Sequence, residues 1–326
     1  MTSMHQNTES NNWYAENQRA LMAELAFIRK MLEHHTEAYA APANASLPDG
    51  SPRTNSRSGR TKNGKEKGKP LPQPVSGLGS PSPEQSALLA LDQLCVIFGL
   101  TQFERTLLLL CAGIELDSRF APLCAAAQGD ASRTHPTFSL ALSALPEPHW
   151  SALRPTGPLR HWRLIEVGTG DSLTTSSLRI DERTLHFLTG VACVDERLLG
   201  LVRALAAPMA LPRSQYQVAE RLAELWQQSG NTLVQLCGND PAGAQTVAAA
   251  ACAALQIQVF VLGAEDLPVA AAERDALVRL WEREAILSNS ALLVACDESS
   301  ASERLRPLTA FLETIQGPVV AVSRDP

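Results

Sequence analysis

The sequence predicts a mixed architecture, with a helix-rich front part that contains one short β-hairpin and a back part built as a parallel α/β sheet. Three observations carry this reading. Helix caps and stops recur through residues 84–207, with β-prone runs only near the end of that stretch. From Arg213 onward, helical segments and short apolar runs alternate. Between them and the N-terminus, residues 38–83 are rich in Pro, Gly, Ser, Asn and Lys and nearly devoid of large apolar residues. The chain of 326 residues thus divides into 1–37, 38–83, 84–207 and 208–326, and a hydrophobic fraction of 45% suffices for two cores.

In the first segment Tyr14, Leu21, Leu25, Ile28 and Leu32 fall at spacings of 7, 4, 3 and 4, one stripe on a helix. Such a stripe is either the seam of a short coiled coil, giving self-association, or a face that docks on the chain's own protein. Residues 38–83 cannot bury enough surface to offset the entropy of ordering and are expected to be a disordered linker. Seven basic residues lie between Arg53 and Lys69 against the single acid Glu66. The net charge is −6 overall and +6 in this stretch, which leaves −12 for the remainder. That asymmetry is compatible with an acidic or nucleic-acid partner, or with a linker kept solvated.

Ser82 and Pro83 open a helix that Gly99 ends. Thr101 with Glu104 forms a capping box for the next helix. A third helix runs to Gly129, and Pro136 begins a fourth. "RHWRLIEVG" and "LTTSSLRI" read as two β-prone runs around the turn "TGDS", and Asp181 to Gly190 is a capped final helix. Helices followed by a two-stranded wing and another helix describe a winged-helix (α+β) domain. Winged helices often place one helix in the DNA major groove. The candidate, Pro136 to Leu145, contains no Lys or Arg and so lacks the phosphate-neutralising term.

In the last segment, strands are expected at "TLVQLCG", "IQVFVL", "ALLVAC" and "PVVAVS", with helices between them. The first strand leads through Gly238 and Gly243 into a helix N-terminus, the G-x-x-x-x-G frame of a P-loop. The third ends in Asp297-Glu298, a Walker B pattern in which Asp297 would hold Mg²⁺ and Glu298 would polarise the attacking water. Ser323 stands where a sensor residue would approach a γ-phosphate. Ala244 and Gln245 replace the Lys and Ser/Thr that hold phosphate and metal, and Thr246 carries its hydroxyl one residue late. A helix dipole alone contributes ~0.3–1 kcal/mol at an exposed site. Micromolar binding needs about −8 kcal/mol. ATP and Mg²⁺ are therefore the cofactors of a degenerate site, with Gly238, Gly243, Thr246 and Ser323 as its remaining contacts.

The runs "FGLTQFERTLLLLCAGIELDSRFAPLCAAAQGD", "PTFSLALSAL", "HWSAL", "PLRHWRLIEVG", "LTTSSLRIDERTLHFLTGV" and "VDERLLG" resemble one family. It is the winged-helix-containing AAA+ ATPases associated with phage-tail-like extracellular contractile injection systems, and the likeness covers residues 84–326. The resemblance implies a truncated P-loop NTPase-like sheet whose first strand is an exposed edge. It also implies a complete AAA+ module further on, which residues 1–326 do not contain. Fifth strand, arginine finger, second sensor and helical lid are missing too. The implied function is the N-terminal part of a remodelling or assembly ATPase, or a split or decayed copy. The implied partners are components of the injection particle or other chains of the family. A non-enzymatic adaptor and a DNA-binding regulator are the alternatives.

The seven cysteines show no C-x-x-C pair, which points to reduced thiols and away from zinc. No apolar run reaches the ~18 residues of a membrane span, and no signal peptide is evident, so a cytoplasmic location is expected. His34-His35 suits a helix C-terminus better than a metal, and Trp150 and Trp162 read as core aromatics.

Overall fold

The computed structural model describes residues 2–40, 88–170, 172–229, 233–296 and 301–324. Residues 41–83 of the expected linker, which include the Ser82-Pro83 cap, and the Asp297-Glu298 pair lie outside the described residues, while residues 38–40 belong to a helix.

Helix α1 (Thr2–Ala40) is longer than the periodic stretch that predicts it. Its stripe docks on the chain itself: Leu21, Leu25, Ile28 and Leu32 are buried in one core with α2 (Ala90–Phe98), α3 (Gln102–Leu116) and α4 (Phe120–Ala127). This is the second of the two readings; the coiled-coil seam is corrected, because those four leucine and isoleucine side chains are already covered. Tyr14, at the stripe's start, stays exposed. Buried Asn17 ties three helices together. It donates to Leu188 O at 2.8 Å and accepts from the Ala90 amide at 3.0 Å, capping α2 from another helix.

Local signals place most helix ends where the sequence has them. Thr101 and Glu104 form the reciprocal capping box of α3, and Gly99 ends α2 in the left-handed conformation at φ 63°. Asp181 caps α7 (Glu182–Thr189), which Gly190 closes at φ 79°. Helix α5 (Phe138–Ala144) is capped by Thr137 rather than opened by Pro136. Pro136 and Thr137 instead pair with the wing: the Leu178 amide donates to Pro136 O at 2.8 Å, and Thr137 bridges Ser177 antiparallel.

The two β-prone runs shrink to β1 (Ile165–Val167) and β2 (Leu178–Ile180). Pro158 starts the one-turn helix α6 (Pro158–His161), which takes up the first two residues of the first run. The residues before Ser177 are held in turns, with the Ser176 hydroxyl on Ser172 O at 2.8 Å.

Five strands form the second sheet, in the order β3-β5-β6-β7-β4. Strands β4 (Leu233–Cys237), β5 (Gln258–Gly263), β6 (Ser290–Ala295) and β7 (Val319–Ser323) are mutually parallel where they pair. β3 (Val202–Leu205), which the sequence reading did not find, runs antiparallel along β5, so the sheet is not wholly parallel. Helices α8 (Arg213–Ser229), α9 (Pro241–Ala254), α10 (Ala271–Ser288) and α11 (Ala301–Thr314) complete this part. The strand period of two feeds both faces: Val259, Val261, Ala291 and Leu293 join α8 and α9 in one core. Phe260, Leu262, Leu292 and Val294 join α10 and α11 in another. Among the described residues β4 is an edge strand, paired with β7 alone, and its Leu233, Gln235 and Cys237 are exposed.

Candidate functional site

The C-terminal ends of β4 and β7 gather the residues of the glycine frame. Helix α9 begins at Pro241, so Gly243 lies within its first turn, and only Gly238, Asn239 and Asp240 separate strand from helix. Asp240 is the cap: the Gly243 amide donates to its Oδ1 at 2.9 Å. A Cβ on Gly243 would meet Asp240 Oδ2 at 2.3 Å and Gln215 Nε2 at 3.1 Å. The glycine is thus explained by the crowding of the chain's own carboxylate and amide.

The other residues are similarly engaged. The Thr246 hydroxyl donates back to Ala242 O at 2.7 Å, inside the helix. Gln245 Oε1 accepts from Arg203 at 3.3 Å, and Ser323 Oγ accepts from the Gln235 amide at 2.9 Å. The Gly238 amide donates to Ser323 O at 3.1 Å, so Gly238 and Ser323 do share one end of the sheet. Cys296 follows β6 there, its amide on Val322 O at 2.9 Å. The acids Asp297 and Glu298 come next in sequence and lie outside the described residues.

These residues do not fit a Mg²⁺-triphosphate. Pro241 has no amide proton to give, the Gly243 amide already serves a carboxylate, and Ala244 and Gln245 offer neither ammonium nor metal-binding hydroxyl. A phosphate at this N-terminus would face Asp240.

The winged helix presents a second surface. In a helix-turn-helix the second helix holds the groove-facing position. Thr137 meets the wing in a single bridge to Ser177, and of the α-helices between it and β1, α5 comes first and α6 second. The assignment of Pro136 to Leu145 as the reading helix is corrected accordingly. Arg154, Arg160 and Arg163 surround α6, so the position is not devoid of cations. The Arg160 guanidinium donates to Leu153 O at 2.7 Å. Burial, then the nearby Arg279 charge, lowers the His161 pKa. Trp150, read as core, is exposed, whereas Trp162 is buried.

A cleft of about 640 Å³ lies on the other side of α7, lined in part by His186, Cys193, Asp195 and Arg197. His186 Nδ1 and Cys193 Sγ are 3.1 Å apart, a Cys–His contact that the sequence reading missed despite its spacing of seven residues. Burial pushes the Cys193 thiol up in spite of the Arg183 charge, so the pair does not supply a ready thiolate. Among the described residues, no cluster of three or more His, Cys, Asp or Glu is arranged to hold a metal. No described helix is long and apolar enough to cross a membrane.

Helices sharing one core, a Thr137–Ser177 bridge and a two-stranded wing fit the winged-helix class. The chain matches the family model "Winged helix domain, variant" over residues 5–202, more than half its length, and belongs to that family. The match includes α1, which the docked leucine stripe makes part of the domain's core. Searches of curated proteins and of solved structures give no match.

Proposed function

We propose that this chain is a nucleotide-silent docking part of an AAA+ type remodelling ATPase, of the class associated with contractile injection systems. It engages protein partners, components of the particle or related chains, through its winged helix and ATPase-like sheet. Nucleotide turnover belongs to a P-loop module that keeps its Lys and Ser/Thr. The observation that carries the reading is the Asp240 carboxylate at the N-terminus of α9, on a sheet whose β5-β6-β7-β4 order and crossover helices suit a P-loop ATPase. The strand order supports the ancestry, and the carboxylate argues against the chemistry. Titration of the purified chain with a fluorescent ATP analogue and Mg²⁺ tests it, beside an Asp297→Ala variant. No saturation up to millimolar analogue is expected. Micromolar binding that weakens in the variant would overturn nucleotide silence.

A second reading, nucleic-acid contact, is favoured by Arg154, Arg160 and Arg163 around α6. It requires salt-dependent retention of duplex DNA that is lost when these three arginines are replaced by alanine.

A further inference from the structure

Six charged side chains, three of each sign, meet where the winged helix abuts α10: Arg183, Arg197 and Arg283 with Asp181, Asp195 and Glu284. All except Arg197 are almost fully buried. Arg183 grips Glu284 through two bonds of 2.8 and 3.2 Å, and the Asp195 amide adds a third to the same carboxylate at 3.3 Å. Arg283 pairs with Asp181 at 2.9 Å and with Asp195. It also donates to the carbonyls of Trp162 and Arg163 at 3.3 and 2.7 Å, just after α6. Arg197 joins Asp195 and Asp181 from the exposed side.

The apolar side chains cross the same boundary in both directions. Leu287 of α10 belongs to the winged-helix core, while Leu277 and Trp281 of the same helix belong to the core of the sheet. Leu198, within the matched winged-helix residues, is fully buried in the core of the sheet.

We propose that α10 is a clamp on the winged helix, holding the α6 turn and the start of α7 so that winged helix and sheet move as one body. The energy of ion pairing is not the basis for this, since buried pairs often gain little over apolar packing. Register is the basis. Arg283 and Glu284 are adjacent, so they leave α10 about 100° apart, Arg283 toward Asp181 and the carbonyls after α6 and Glu284 toward Arg183. Sliding α10 by one turn would separate both from their partners at once and withdraw Leu287 from its pocket. Intermediate positions leave buried charges unpaired, so the contact has a single arrangement. The clamp also reaches the element that a winged helix would offer to a groove, whose closing carbonyls belong to Arg283.

Hydrogen exchange of the full chain across a urea series tests this. In the wild type, winged-helix and sheet amides are expected to lose protection at the same urea concentration. In Arg283→Met and in Glu284→Gln the two sets should separate, with residues 158–164 exchanging at least about tenfold faster in the absence of urea. If a variant fails to fold, Arg283→Lys, which keeps the charge and loses the forked reach, should show a smaller separation. Separate transitions in the wild type, or unchanged exchange at 158–164 in the variants that fold, would overturn the clamp.

Discussion

Asp240 occupies the N-terminus of α9 with its carboxylate turned onto the Gly243 amide. Asp240→Ala should cost about 0.5–2 kcal/mol in urea unfolding, while Asp240→Asn, which can still accept that bond, should be nearly neutral. Glu282 offers a test of opposite character. Burial raises its carboxyl to about 7, although the Gln316 amide donates to it at 2.8 Å. The folded chain therefore holds this proton more tightly than the unfolded chain between pH 4.5 and 7. Its contribution is present below that window and declines as pH rises through it. Glu282→Gln should flatten the decline, read as unfolding free energy at pH 5, 6, 7 and 8. Asp195 works the other way: burial raises it, but Arg197 and Arg283 outweigh that and hold it below its ordinary value. Its contribution is complete above pH ~4 and is lost on further acidification.

Among the elements, those with local causes are the ones the sequence reveals. The Thr101–Glu104 box, the Asp181 cap and the left-handed glycines 99 and 190 each depend on residues within a few positions, and each is found in place. The stripe Leu21, Leu25, Ile28 and Leu32 is legible as a face, but its periodicity is the same whether it meets another chain or its own. Leu25→Ala, at a fully covered site, should cost ~2–5 kcal/mol if α1 is part of the core, measured by thermal or urea unfolding. A cost near zero would undo that assignment. β3 escaped notice because "VRAL" is four residues with two exposed in the middle, too short for a period. The α6 turn is four residues that run into a segment read as strand, and with no helix expected there the reading helix was placed on α5. At the glycine frame, the sequence revealed the strand-to-helix transition and the missing Lys. It did not reveal that Gly243 accommodates Asp240 and Gln215, because Gln215 comes from a different helix.

Across the whole molecule the decisive contacts are remote in sequence. Arg283 and Asp195 are 88 residues apart, and Arg183 and Glu284 are 101 apart, so composition and spacing carry no trace of their meeting. Acidification below pH ~4 should weaken the joint at Asp195, whose carboxylate Arg197 and Arg283 hold ionised. Native-state exchange at about pH 2.5 against pH 7 would show this as an early loss of protection around residues 195–198. The most distant of these contacts concerns α1. Asn17 donates to the carbonyl of Leu188, 171 residues later, and accepts from Ala90. During synthesis α1 leaves the ribosome before its partners, and its docking surface is complete only after α7 has followed. Until α2, α3 and α4 have emerged, its leucine stripe has nothing of its own to cover it. The helix waits for partners that are made after it, and for that interval the nascent chain presents an apolar ridge that a chaperone would recognise.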